Sequence, residues 1–351
     1  MTRSLLALFL MVSAACAGGA ARPSPTPTSA APSASTPSPQ IDVTDMMGVF
    51  PPTTFFVVRP GREVAALALL NHATKYTIRI EGDAEVATAT ERGRLYILDQ
   101  SGDGARLRWF DIASGTQRAT RILPGALPVP TGAGHGTLAL DRSTDDLFAL
   151  LRQGPTKAIE QFEGSTLRPV KRLLADLRCG ERLVASGGRV AMACLGEGGL
   201  VVSDAARSIK LSAKEPLVAL AIAPSGTVLA GTAEGRLFRL APGTGELETI
   251  EAIRERGTRL VLDGIAAQAD CCFILGLLDR VANPQVRIVT GGFTLLLFPE
   301  ASPPSGGILF QAPFAYYTSG TQARHIDTQQ GFGEVMTSFP EAVLPGAVAD
   351  R

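Results

Sequence analysis

The chain has 351 residues, with 33 Lys and Arg balanced by 33 Asp and Glu. Nucleic-acid binders need a basic footprint, and no run of five Lys or Arg occurs, so neither a nucleic acid nor an anionic membrane surface is an expected partner. Beyond the first 40 or so residues remain roughly 310, enough to bury a large core in one all-β domain without a structural metal.

Met1, Thr2 and Arg3 form a positive start, residues 5–12 (LLALFLMV) an apolar run, and residues 13–20 are almost all small. That order is the pattern of a secretory signal peptide, and the run is shorter than the roughly 20 apolar residues of a membrane span. Val12, Ser13, Ala14, Ala15 and Cys16 resemble the bacterial lipobox. The resemblance implies a signal peptide over residues 1–15 and a diacylglyceryl thioether on Cys16, which becomes the mature N-terminus. The same residues also fit ordinary cleavage after Ala17 or Ala20, which would discard Cys16.

Residues 22–40 (RPSPTPTSAAPSASTPSPQ) hold six Pro and eight Ser or Thr, with one charge and no aromatic. Such a segment cannot bury enough apolar surface to offset its ordering entropy. Residues 16–42 are therefore expected to form a disordered tether, reaching about 60 Å at about 3.1 Å per residue over the Pro-rich stretch if extended. The composition also suits a stalk bearing O-linked sugars.

From residue 43 onward short apolar runs alternate with Gly, Asp, Ser and Pro turns, and sustained 3.6-residue periodicity is missing. That predicts an all-β body over residues 43–351. The runs recur as units: residues 93–99, 107–111 and 113–115; residues 217–223, 224–231, 234–240 and 242–245; residues 136–141 and 146–151. Each unit reads as strands joined by tight turns. The units resemble blades of the WD40, YVTN and quinoprotein-like β-propellers, although they lack the Gly-His and Trp-Asp pairs of WD40 blades. The resemblance implies a single β-propeller. Seven blades of about 44 residues fit the length best, six or eight being the alternatives. Starts are expected near residues 44, 86, 129, 179, 215, 257 and 307, with residues 49–58 joining or packing beside the last blade to close the ring.

Four cysteines remain beyond Cys16. Export would place them where disulfides persist. If Ser186 and Gly187 form a two-residue hairpin turn, Cys179 lies opposite Cys194, close enough to bridge. The adjacent Cys271 and Cys272 point to opposite faces of a strand, as two apolar fillers or, alternatively, as a vicinal disulfide. A vicinal disulfide resembles one found in quinoprotein dehydrogenases, which are longer and rich in Trp; this chain has one Trp.

Candidate chemistry is sparse. His72, His135 and His325 are far apart and show no metal-binding spacing, so turn or surface imidazoles are expected. No GxSxG elbow or phosphate-binding loop occurs, and no catalytic residue or cofactor is expected. Asp99, Ser101 and Asp103, followed by Gly104, resemble the opening of a calcium loop, but Phe110 stands where the closing Glu belongs, and a hairpin turn is the preferred reading. Asp141, Asp145 and Asp146 form a second acidic turn. Phe310, Phe314, Tyr316 and Tyr317 cluster late, with core packing preferred and one Tyr open to exposure by strand alternation.

The functional expectation is an exported, lipid-anchored propeller at the cell envelope. It would act as a non-enzymatic module binding a protein, peptide or glycan, its contact with the membrane being the N-terminal lipid. The alternative is a propeller hydrolase or lactonase, with carboxylates or a metal at the central channel. A structural role in envelope assembly is the third possibility. The wall of the channel discriminates: convergent acidic, Asn or His side chains favour an enzyme, an apolar wall favours binding.

Overall fold

The computed structural model describes residues 54–349 except 70, 103, 129–135, 178, 195–197, 205–206, 233–235, 253–260, 270–271, 280–284, 291–292, 300–303, 312–313 and 328–331; side chains are also left out at 250–308, 310–314 and 327–332. All of these residues lie in the compact unit Phe50–Arg351. The leader, Cys16, the tether and His135 fall outside the described residues, as do Cys271 and the Cys272 side chain.

The described residues form seven four-stranded antiparallel sheets. The first contains β1 (Thr54–Arg59), β2 (Glu63–Ala68) and β3 (Thr74–Arg79). The second runs β4 (Ala84–Ala89), β5 (Arg94–Ser101), β6 (Gly104–Asp111) and β7 (Gln117–Leu123). The third holds β8 (Leu138–Asp141), β9 (Asp146–Gln153), β10 (Thr156–Glu163) and β11 (Pro169–Leu177). In the fourth are β12 (Arg182–Ser186), β13 (Arg189–Cys194), β14 (Gly199–Ser203) and β15 (Ser208–Ser212). The fifth has β16 (Leu217–Ile222), β17 (Val228–Thr232), β18 (Arg236–Leu240) and β19 (Glu248–Ala252). The sixth takes β20 (Val261–Ala269), β21 (Cys272–Asp279), β22 (Gln285–Thr290) and β23 (Phe293–Pro299). The seventh takes β24 (Pro304–Gln311), β25 (Phe314–Ser319), β26 (Gln322–Asp327) and β27 (Phe332–Ser338). The last strand, β28 (Leu344–Ala349), returns to the first sheet and lies inside β1.

The seven innermost strands, β28, β4, β8, β12, β16, β20 and β24, each neighbour the next, and β24 meets β28 again. The ring is closed, as an all-β propeller requires. The core lies between sheets, so inner and middle strands are covered on both faces and read as apolar runs: β13, RVAMAC, is buried throughout. Outer strands carry the polar sequence, and β7, QRATRIL, is exposed at most of its positions.

Six expected blade starts fall close to β4, β8, β12, β16, β20 and β24. The widest departure is at β8, which begins at Leu138 against an expected 129. The expectation for the first blade needs correction: its inner strand is β28, from the other end of the chain, and β1 is its second strand. Residues 54–58 pair with β28, and of the two expected ways of closing the ring it is packing beside the seventh sheet, not pairing with its strands, that they show. The seam is packed by Phe55, Leu67, Tyr316, Met336 and Val343, with the Phe55 and Tyr316 ring centroids 5.2 Å apart.

Cys179 and Cys194 are joined in a disulfide, with Cα atoms 5.3 Å apart. The expected register is wrong even so. Ser186 pairs with Arg189, so the two-residue turn is Gly187–Gly188, both in the left-handed region at φ 60° and 74°. Two successive positive φ angles are what a tight type I′ hairpin turn demands, and Gly-Gly supplies them without strain. Cys179 consequently lies before β12 and outside its ladder, and the chain passes through Gly180 at φ 129° beside the bridge. The bridge spans a sequence separation of 15. Loop closure on that scale is worth about 3 kcal/mol. Cys179→Ser is expected to lower unfolding stability by about that amount, measured by urea titration, while wild type in reductant should match the variant.

Candidate functional site

The inner strands enclose a channel of about 410 Å³. Its described wall is largely aliphatic, including Val86, Leu140, Val184, Ile222, Leu309 and Val348. Among the described lining residues Arg142, in the β8–β9 turn, is the one charge. Thr88 turns its hydroxyl into the wall by donating to the Val348 carbonyl at 2.7 Å.

The turns linking first and second strands are laced together in succession. Arg92, before β5, donates to the Arg142 carbonyl at 3.1 Å, and Arg94 donates to Asp145 at 2.7 Å. Asp141 is fully buried; one oxygen accepts from the Ser143 amide and hydroxyl, the other from the Gly188 amide at 2.6 Å. Arg189 then reaches the Gly226 carbonyl in the next sheet. The second acidic turn is thus a structural turn whose carboxylates tie the third sheet to both neighbours. Charge-assisted bonds of this kind are about twice as strong as neutral ones, and they fix this end of the channel.

Asp99, the first residue of the calcium-loop candidate, is also fully buried. Its carboxylate accepts from Arg106 Nη2 at 2.6 Å and from Arg108 Nη2 at 3.1 Å, with each Nε at 3.3 Å. Two guanidinium groups therefore occupy the oxygens a cation would need. Ser101 ends β5 and pairs with Gly104 across the hairpin, and Asp103 lies outside the described residues. Burial pulls the Arg108 pKa below its ordinary value, opposed by Asp99, and the same guanidinium donates to the Arg79 carbonyl of the first sheet at 2.9 Å.

Tyr316 and Tyr317 are both buried, because β25 is covered on both faces and alternation exposes neither. The Phe310 and Phe314 side chains lie outside the described residues.

Two of the three histidines meet, which sequence spacing did not anticipate. His325 in β26 stands directly opposite Glu334 in β27. His72, from the β2–β3 turn, reaches across the seam. Its Nε2 lies 3.1 Å from Glu334 Oε1, and His325 Nε2 lies 3.4 Å from the same oxygen. The imidazole centroids are 5.9 Å apart, and one donor atom from each of the three residues falls within 4.8 Å of the others. This is the one group of three potential metal ligands among the described residues.

No family model matches the sequence, and no curated protein matches it. Solved structures do resemble the fold. The chain is a β-propeller. It is similar to a functionally unknown protein from Desulfotomaculum acetoxidans, with TM-score 0.62 and 8% identity over 84% of this chain and 98% of that one. The periplasmic gluconolactonase PpgL of Pseudomonas aeruginosa matches with TM-score 0.59 and 14% identity, over 84% and 98%. Against the dihydro-heme d1 dehydrogenase NirN the TM-score is 0.55 at 13% identity; the match covers 81% of this chain but spans only 64% of the length of that protein. At these identities the likeness extends to the fold.

Proposed function

We propose that the chain is an exported β-propeller, anchored through a lipid on Cys16, that binds a protein, peptide or glycan at the cell envelope without turning it over. The observation that carries the reading is the channel wall: its described residues are largely aliphatic, with Arg142 the one charge. General acid–base chemistry needs titratable groups within hydrogen-bond reach of a substrate, and metal-assisted hydrolysis needs ligands. The described wall supplies apolar surface instead. The laced turns around Arg142 support the same reading, since a fixed rim presents its carbonyls and side chains at low entropic cost to a ligand. Export and anchoring rest on the signal-peptide pattern and on Cys16 followed by a Pro-rich tether.

Two measurements test this. Wild type is expected in the detergent phase after phase separation and Cys16→Ala in the aqueous phase; equal partitioning into water would remove the anchor. The purified body, screened on peptide and glycan arrays and against lactone, ester and glycoside substrates, is expected to give saturable binding without product. Turnover that is lost on filling the channel with Ala221→Trp would identify an enzyme and overturn the binding reading.

A further inference from the structure

We propose that His72, His325 and Glu334 bind one zinc-class divalent cation that staples the first sheet to the seventh across the seam of the ring. The geometry carries the assignment. Tetrahedral zinc holds nitrogen and oxygen ligands at about 2.0–2.1 Å, which sets ligand atoms about 3.3 Å from one another. The two imidazole Nε2 atoms stand 3.1 and 3.4 Å from one carboxylate oxygen, so two edges of that tetrahedron are already in place. The third separation is within 4.8 Å, and a small approach of the imidazoles closes it. Two imidazoles and one carboxylate suit zinc and its neighbours in the first transition row, whereas calcium and magnesium call for oxygen-rich shells.

The donors are held by different elements. His325 is buried, 6% exposed, and shares a face of the ladder with Glu334 because the two are paired across β26 and β27. His72 sits in a turn at φ 56°, where Asn71 Oδ1 accepts from the Ala73 amide at 3.1 Å. Three protein ligands leave one tetrahedral position for water. The third and fourth strands of the seventh sheet carry the site, so it lies away from the channel wall and is independent of what the channel binds. Its place also gives it leverage. A cross-link that closes a long loop removes the most freedom from the unfolded chain, and this one would join residues near opposite ends of the body.

The test uses the purified full-length protein, stripped with chelator and titrated with zinc by calorimetry. One equivalent is expected to bind and to raise the thermal midpoint, and cobalt in its place should give the intense visible bands of a tetrahedral site. His72→Ala and Glu334→Gln should each weaken binding by more than the about 10–100-fold typical of losing a group behind a ligand. Neither variant should gain thermal stability from the metal. His72 lies in a partly exposed turn, so its variant keeps the test open if His325→Ala fails to fold. No zinc bound to wild type, or equal affinity in wild type and His72→Ala, would overturn the proposal.

Discussion

Deleting residues 344–351 is expected to abolish the cooperative fold of the whole body, not to trim one sheet. β28 is the innermost strand of the first sheet, and its Ala347, Val348 and Ala349 are buried. Without it β1 loses its inner ladder, and the faces of β4 and β24 that meet β28 are left to water. A domain is stable by only about 5–15 kcal/mol in total. The apolar packing around Phe55, Phe56 and Val86 is large against that margin. The truncated protein should show no cooperative thermal transition by circular dichroism and should be cut rapidly by protease. A point variant tests the same seam: a Cβ at Gly346 would stand 2.8 Å from the Phe56 carbonyl oxygen, so Gly346→Val must push β28 off β1. A truncated body that melts at the wild-type temperature would show that the ring does not depend on its closing strand. Deleting residues 22–40 is expected to leave the melting temperature unchanged, because that segment's composition contributes no core.

The second large effect is expected at Asp99. Asp99→Ala removes the acceptor shared by two arginines and leaves the Arg108 guanidinium, only 8% exposed, without its counter-charge. Breaking a buried pair from one side costs about 3–5 kcal/mol, because the remaining charge stays desolvated. Arg106 is less affected, since it is partly exposed and also pairs with Glu81 at 3.0 Å. Replacing the buried partners together, as Asp99→Leu with Arg108→Met, should recover most of the loss, since apolar pairs of similar volume are often as stable as a buried ion pair. Urea unfolding of the single and double variants measures both. A single variant within about 0.5 kcal/mol of wild type would place it with ordinary surface changes and contradict the structural role of Asp99.

Strand content was readable because sheets covered on both faces need unbroken apolar runs, and the turns between them need Gly and Asp. The starts of β4, β12, β16, β20 and β24 follow from that alone. The phase of the ring was not readable. A repeat shows where each unit recurs but not where the chain cuts the circle, so the inner strand of the first sheet was sought near residue 44 instead of at Leu344–Ala349. The Cys179–Cys194 pairing was read correctly from a register displaced by two, because Ser186-Gly187 and Gly187-Gly188 are both acceptable turns by composition. Only the backbone distinguishes them. Asp99 showed its oxygen-rich turn but not the two arginines that claim it, although Arg106 and Arg108 lie on one face of the returning strand, and cross-strand pairing could have indicated them. The meeting of His72 with His325 had no local signal at all, since it exists only once the ring has closed.

That closure also sets an order of events. Thr54 pairs with Ala349, nearly the whole described chain away, so this ladder has the largest sequence separation among the described residues. Loop-closure entropy must be met before such a contact yields any stabilisation, and folding slows as contacts become less local. The six sheets that follow the first are built from consecutive segments and can form as each is delivered, but the first stays incomplete until β28 arrives. During that interval β1 offers an unpaired inner edge and the seventh sheet an uncovered face. Of the strand pairings that build the ring, the latching of its last strand is therefore the one expected to form latest and to leave the incomplete sheet open to aggregation, whatever machinery delivers the chain.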